Sequence, residues 1–421
     1  MQPGNGARLG VIHVCPGGTG RVSYSSMTTD ARSYRGTLAA LFFAGFCLFI
    51  TLFTSVAYLP LYVRELGGGP VLGGLQNTVF FASGVLLRFF LGPLADRRGR
   101  RLPLLIGTVV SATAPLAFAA AGNIAMLLLA RAYHAISLAA FLSAASSLVA
   151  DCAPPARRGA YIGAYRFVVS SAVLIGPPIA EYCIGAFGFR GWFLASAAVH
   201  AVAIPGIVLM RVPPLETLLQ TDIGGGFKRV LCTPVVSGVL SGIALLSLAY
   251  STILSFLPLL AESIGYSAGS YFIVFGSVGL VANLVAGALS DRLGRRSVAW
   301  PAVFALPLAA LLLSIDGLTL PLFFVSAALG GIGFSAGLVV TVAWLVDLVS
   351  VRLKATTLAL QESTIDTFMA AGALLFGVLV ERLGMGSAFL YFGATTAVLT
   401  LALAYFSFRA EEKRQLGTHG N

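Results

Sequence analysis

Hydrophobic residues run in long blocks along this chain, separated by short breaks rich in polar residues, glycine and proline. Twelve runs stand out, at 36–63, 73–95, 102–121, 124–150, 159–183, 190–210, 232–260, 269–290, 298–315, 319–347, 355–380 and 386–408. Most reach about 20 residues, the length an α-helix needs to cross a bilayer. They lack the alternation of barrel strands, and an unpaired backbone group in lipid costs several kcal/mol. The pattern predicts an all-α membrane protein with twelve transmembrane helices.

The pattern also repeats. Residues 92–101 read GPLADRRGRR and residues 287–296 read GALSDRLGRR, an offset of 195. LPLY at 59–62 returns as LPLL at 257–260, Asp151 followed by Arg158 as Asp347 followed by Lys354, and GFRGWFL at 188–194 as GMGSAFL at 384–390. Two pseudo-symmetric six-helix bundles are therefore expected at 36–210 and 232–408, joined by a polar linker at 211–231. Residues 1–35 read as a disordered segment, with Met27 as an alternative start, and 409–421 as a tail. Parallel repeats imply an axis along the membrane normal and a site at midplane between the halves.

The two decapeptides, placed after the second and eighth runs, resemble the loop signature G-x-L-a-D-r-x-G-r-r of the major facilitator superfamily. The resemblance covers residues 36–408 and implies alternating-access secondary transport, coupled to protons in many members. It marks Gly92, Asp96, Arg97, Gly99, Arg100, Gly287, Asp291, Arg292, Gly294 and Arg295 as a conformational latch, with Asp96 facing the start of span 11. Physically, Gly92 and Gly287 would let helices approach, and a carboxylate at a helix end can meet Arg or a helix N-terminus. The plainer reading of both loops is topology alone.

Composition agrees with a membrane protein: 57% of residues are hydrophobic, 10% are charged, and the mean hydropathy is +0.91. A soluble surface needs more charge. The net charge of +11 is not a nucleic-acid patch, because it is sorted by side. Arg97, Arg98, Arg100, Arg101, Arg157, Arg158, Arg211, Lys228, Arg229, Arg292, Arg295, Arg296, Arg352, Lys354, Arg409, Lys413 and Arg414 fall on one side, and Arg64, Arg190 and Arg382 on the other. The positive-inside rule makes the first side cytoplasmic, with both termini there, in the cell (inner) membrane. No apolar h-region marks a signal peptide, and Cys15, Cys47, Cys152, Cys183 and Cys232 have neither metal nor disulfide spacing.

Candidate chemistry lies where polar residues interrupt the spans. QESTIDT at 361–367 puts Glu362 and Asp366 one turn apart, roughly 12 and 18 Å from the basic side. Arg88 lies roughly 12 Å from the same side, and in this family spans 2 and 11 meet, so Arg88 is expected opposite Glu362. The repeat maps Arg88 onto Asn283 and Arg166 onto Glu362, which predicts a second contact, Arg166–Asn283, between spans 5 and 8. Intramembrane charges are functional candidates. A carboxylate in low dielectric favours its proton, and a facing Arg opposes this, so Glu362 or Asp366 would be the proton-sensitive part of a gate. A permanent ion pair that only fixes packing is the alternative.

In span 4, Arg131 matches the family's R-x-x-q-G-x-g motif, which the resemblance links to proton coupling, and His134 follows one turn on. Gly163, Ala172, Gly176, Pro177 and Ala180 resemble the antiporter motif of span 5, with Glu181 where its last Gly belongs. Gly176-Pro177 reads as a helix bend. By resemblance spans 1, 4, 7 and 10 line a cavity, which nominates Thr54, Tyr58, Tyr250, Ser251, Thr341 and Trp344. GFSAG at 333–337 formally matches a nucleophile elbow but lies inside a span, and no Lys follows Gly as a Walker A loop requires. The chain thus reads as a monomeric, proton-coupled antiporter exporting small organic solutes, with no cofactor, metal, catalytic residue or nucleic-acid partner. A proton symporter for a sugar or organic acid is the runner-up; a receptor or intramembrane hydrolase stands further back.

Overall fold

A computed structural model describes residues 34–153, 157–212, 233–350 and 353–418. Its regular structure is entirely helical among those residues. The chain begins with α1 (Arg35–Glu65), α2 (Pro70–Arg97), α3 (Arg101–Ala120) and α4 (Ile124–Cys152). A helical run of 52 residues, Arg158–Leu209, follows and breaks at Gly188, whose φ of 67° and ψ of 179° suit glycine alone. It makes two crossings, α5 (158–187) and α6 (189–209). The second half repeats the plan with α7 (Pro234–Ser263), α8 (Ala268–Leu293), α9 (Arg295–Leu313), α10 (Leu320–Leu348), α11 (Lys354–Leu383) and α12 (Met385–Thr418).

Each apolar run corresponds to one helix, most of which extend a few residues past it. The largest extension is α12, which stays helical to Thr418 although its apolar run ends at 408. The expected N-terminal segment and linker lie, except for Tyr34, Arg35, Arg211 and Val212, outside the described residues. The signature glycines Gly99 and Gly294 have φ of 83° and 88°, which explains why each turn from α2 to α3 and from α8 to α9 carries glycine.

The halves meet along α2 and α11, α5 and α8, and α1 and α7. The end carrying the α2–α3 and α8–α9 turns is called here the basic end, and the opposite one the far end. Toward the far end small residues bring backbones together. A Cβ at Gly74 would collide with the Ala373 carbonyl, and one at Gly377 would lie 2.7 Å from the Pro70 oxygen. Gly276 is equally close to Leu174 across α5 and α8, at 2.7 Å. Toward the basic end, a Cβ at Gly92, Gly163 or Gly287 would meet nothing within 4 Å. This corrects the expectation that Gly92 and Gly287 bring helices into contact: each faces open space.

The GFSAG segment lies wholly inside α10. A Cβ at Gly333 would press on Leu306 of α9 at 2.7 Å, and one at Gly337 on Leu246 of α7 at 3.2 Å. Ser335 fills the space beside Gly279 of α8. The motif is helix packing, with no strand-to-helix elbow.

Candidate functional site

The seam between α2 and α11 carries the charges. Arg88 donates through Nη2 to Asp366 Oδ2, and both side chains are largely shielded, 16% and 8% exposed. Depth matching favoured Glu362 for this partner, and the structure chooses Asp366. Side chains on a helix lean toward its own N-terminus. On α2 that direction is away from the basic end, so Arg88 reaches about one turn deeper than its Cα. On α11 it is toward the basic end, and Asp366 leans to meet it. Glu362 is left half-buried one turn nearer the basic end. Arg88 Nε and Nη1 are buried without a partner, so the guanidinium keeps donors in reserve.

Arg131 of α4 is fully buried near this seam. Its Nη2 donates to Asn77 Oδ1 at 2.8 Å, its Nε to the Gln76 carbonyl at 3.4 Å, and Nη1 lies 3.0 Å from His134 Nδ1. A guanidinium only donates, so Nδ1 must be the acceptor and the imidazole proton sits on Nε2. That Nε2 is buried without a partner. Phe80 lies 4.2 Å beneath the guanidinium, and Phe80 and Phe118 flank the imidazole. Asn77 Nδ2 in turn donates to Ser255 Oγ of α7 at 2.9 Å. Arg131 and His134, nominated separately one turn apart, are in direct contact and are tied to the other half through Asn77, which sequence reasoning missed.

Other candidates fall elsewhere. Arg166 is exposed, Asn283 is half-buried, and no hydrogen bond joins them among the described residues. The backbone keeps helical dihedrals through Gly176 and Pro177, and the non-helical break lies at Gly188. Gly176 admits Thr54 and Ile50 of α1 at 3.2 and 3.4 Å, and the Pro177 carbonyl accepts from Tyr58 at 3.1 Å. All six cavity candidates are buried in packing. Thr54 and Thr341 bond to carbonyls of their own helices, Ser251 to the Met369 carbonyl, and Trp344 packs on Trp300. Tyr250, stacked on Phe334, has an unpartnered buried hydroxyl.

Two of the latch arginines, Arg100 and Arg295, pair with acids of their own halves. Arg100 Nε lies 3.5 Å from Asp151, and its repeat counterpart Arg295 lies 2.9 Å from Asp347 and 2.5 Å from Asp291. Arg292 is exposed, and the side chains of Asp96 and Arg97 lie outside the described residues. The far end holds acids that the sequence did not nominate. Arg64 pairs with Glu262 at 2.5 Å, Glu381 accepts from the Val71 N–H at 3.2 Å, and Glu181 from the Gly269 N–H at 2.5 Å.

Comparison with known proteins places this geometry. The family model described as Major Facilitator Superfamily matches residues 41–315 and again 268–420. The quinolone resistance protein NorA of Staphylococcus aureus is 24% identical over 291 residues, 66% of this chain and 73% of that protein. Two solved structures share the fold. A variant of the peptide transporter POT in complex with sulfate aligns with a TM-score of 0.75 at 16% identity, over 90% of this chain and 97% of its own. The nucleoside transporter NupG aligns with a TM-score of 0.73 at 15% identity, over 87% and 98%.

Proposed function

The chain belongs to the Major Facilitator Superfamily, a multi-pass membrane transporter of small molecules and not an enzyme, and we propose that it is a proton-coupled antiporter exporting small amphipathic organic solutes. The similarity to NorA and the partial antiporter motif in α5 support export. The basic end faces the cytoplasm with both termini, the membrane is the cell (inner) membrane, and the protein works as a monomer.

The observation that carries the mechanism is the ion pair Arg88–Asp366, which joins the two halves near mid-membrane. With the far end closed, the guanidinium holds Asp366 as a carboxylate. Rocking the halves to open the far end draws α2 and α11 apart there and together at the basic end. Arg88 then passes to Glu362, one turn closer to the basic end, using donors it already holds free. Asp366, left without a cation in low dielectric and open to the exterior, takes a proton on its carboxylate. Return of Arg88 on closure expels that proton to the cytoplasm, so each cycle carries one inward while solute leaves.

Flux in proteoliposomes with an imposed pH gradient, scanned over a mixed solute panel, tests this. Asp366→Asn and Glu362→Gln should each abolish proton-driven transport while leaving solute exchange measurable. Coupled transport intact in both variants would sink the carrier assignment. One observation favours the uptake reading: Arg131 has no carboxylate partner among the described residues and would suit an organic acid. Solute moving with the proton gradient in the same assay would establish symport and end the export reading.

A further inference from the structure

Glu181 stands where the antiporter motif of α5 calls for glycine, and nothing in the proton mechanism uses it. It lies near the far end of α5, on the seam with α8. Its Oε2 accepts the Gly269 N–H at 2.5 Å and the Ser267 hydroxyl at 2.8 Å. Ser267 is the N-cap of α8 and itself accepts from the Ser270 N–H at 3.1 Å. A carboxylate from the first half therefore closes the free N-terminal turn of a helix in the second half.

The same device occurs in reverse. Glu381, 200 residues after Glu181, lies on α11, the repeat counterpart of α5. Its Oε2 accepts the Val71 N–H at 3.2 Å, in the first turn of α2, the counterpart of α8. Val71 and Gly269 are both the second residue of their helices. The N-cap of α2 is Gly69, which supplies no side-chain acceptor, and Pro70 supplies no N–H, so Val71 offers the first free donor. Both sites are also shaped for the carboxylate. A Cβ at Gly69 would lie 3.2 Å from the Glu381 oxygen, and one at Gly269 would collide with Glu181 and press to 2.9 Å on Pro178.

We infer that Glu181 and Glu381 form a reciprocal pair of clasps that hold the far end closed and so set the balance between the two states of the transport cycle. The inference rests on the alternating-access reading above. A carboxylate at a helix N-terminus gains from unsatisfied N–H groups and from the positive end of the helix dipole. Each clasp joins opposite halves, so its energy exists only while the far end is shut. A ligand or contact shifts an equilibrium only by what it gives one state over the other, and this contact belongs to one state alone. Glu181, with two short bonds, is the stronger clasp; Glu381, with one longer bond, is the weaker.

The test is a distance distribution between spin labels placed at the far ends of the two halves, read on the full-length protein in proteoliposomes beside solute flux. Glu381→Gln should raise the far-end-open population roughly threefold, and Glu181→Gln roughly tenfold. Glu181→Asp should recover less than half the shift, because the shorter side chain retains charge but loses reach. Gly269→Ala, which crowds the carboxylate without removing it, should open the far end as Glu181→Gln does. If both Gln variants kept the wild-type distribution and only lost thermal stability, the carboxylates would be helix caps and the inference would be overturned. Wild-type protein without proton-driven flux, yet with a distribution that Glu181→Gln shifts, would sink the proposed coupling and leave the clasps standing.

Discussion

The two ends of the bundle differ in how the halves are joined. At the far end Arg64–Glu262, Glu381–Val71 and Glu181–Gly269 cross between halves, followed inward by Asn77–Ser255 and by Thr78 donating to the Ala370 carbonyl at 2.7 Å. Arg88–Asp366 is the last rung. Among the described residues no hydrogen bond or ion pair joins the halves closer to the basic end. There the charged groups of Arg100 and Arg295 satisfy acids of their own halves. The two ends use similar residue types, but among the described residues the bonds across the interface lie from the far end to Arg88–Asp366. The state is therefore closed at the far end, and in the proposed cycle a swap of partners would separate it from the other state.

Breaking the last rung should have the largest effect. Arg88→Ala or Asp366→Ala leaves one buried charge unpaired and should cost about 3–5 kcal/mol, while the double variant should recover most of it. Thermal unfolding in detergent checks this; single variants within about 1 kcal/mol of wild type would mean the pair is solvated. Next comes Asn77→Ala, which strips Arg131 of a 2.8 Å acceptor and removes the bond to Ser255, at a cost of about 1–3 kcal/mol. A loss below that range would show that Asn77 is a bystander.

Two substitutions on the same helix set the two ends against each other directly. Gly74→Ala meets the Ala373 carbonyl, which cannot give way, and should cost about 1–3 kcal/mol. Gly92→Ala meets open space and should stay within about 0.5 kcal/mol. Equal costs would erase the contrast between the close-packed and the open position. Glu262→Gln should also have a small effect. Its pair with Arg64 is just over half exposed on both sides, and its removal should cost under about 1 kcal/mol. A larger loss would make this pair a third clasp.

Much of the architecture was legible because it follows from local rules. Lipid forbids unpaired backbone, so apolar runs had to be helices, and the paired decapeptides exposed the repeat. Gly99 and Gly294 were marked by their motif, and their positive φ explains the need. Arg88, Asp366, Arg131 and His134 were also visible, as polar residues that a membrane span does not carry without cause. Their partners were less legible. Counting residues along α2 and α11 sets the heights of Cα atoms, but Arg88 is long and leans toward its helix N-terminus, which moves its charge by about a turn. The hydroxyls of Thr54 and Thr341 looked like cavity groups and instead satisfy carbonyls of their own helices.

By itself the sequence determined twelve helices, the repeat, and which charges lie inside the membrane. The physical reason is that hydropathy, backbone satisfaction and turn stereochemistry act over a few residues at a time. Only the tertiary structure decided that Asp366 and not Glu362 takes Arg88, that Glu181 and Glu381 cap helices of the opposite half, and which end is shut. Those contacts join residues 278, 88 and 310 positions apart. They depend on how two rigid bundles are tilted against each other, and no local pattern along the chain encodes that tilt.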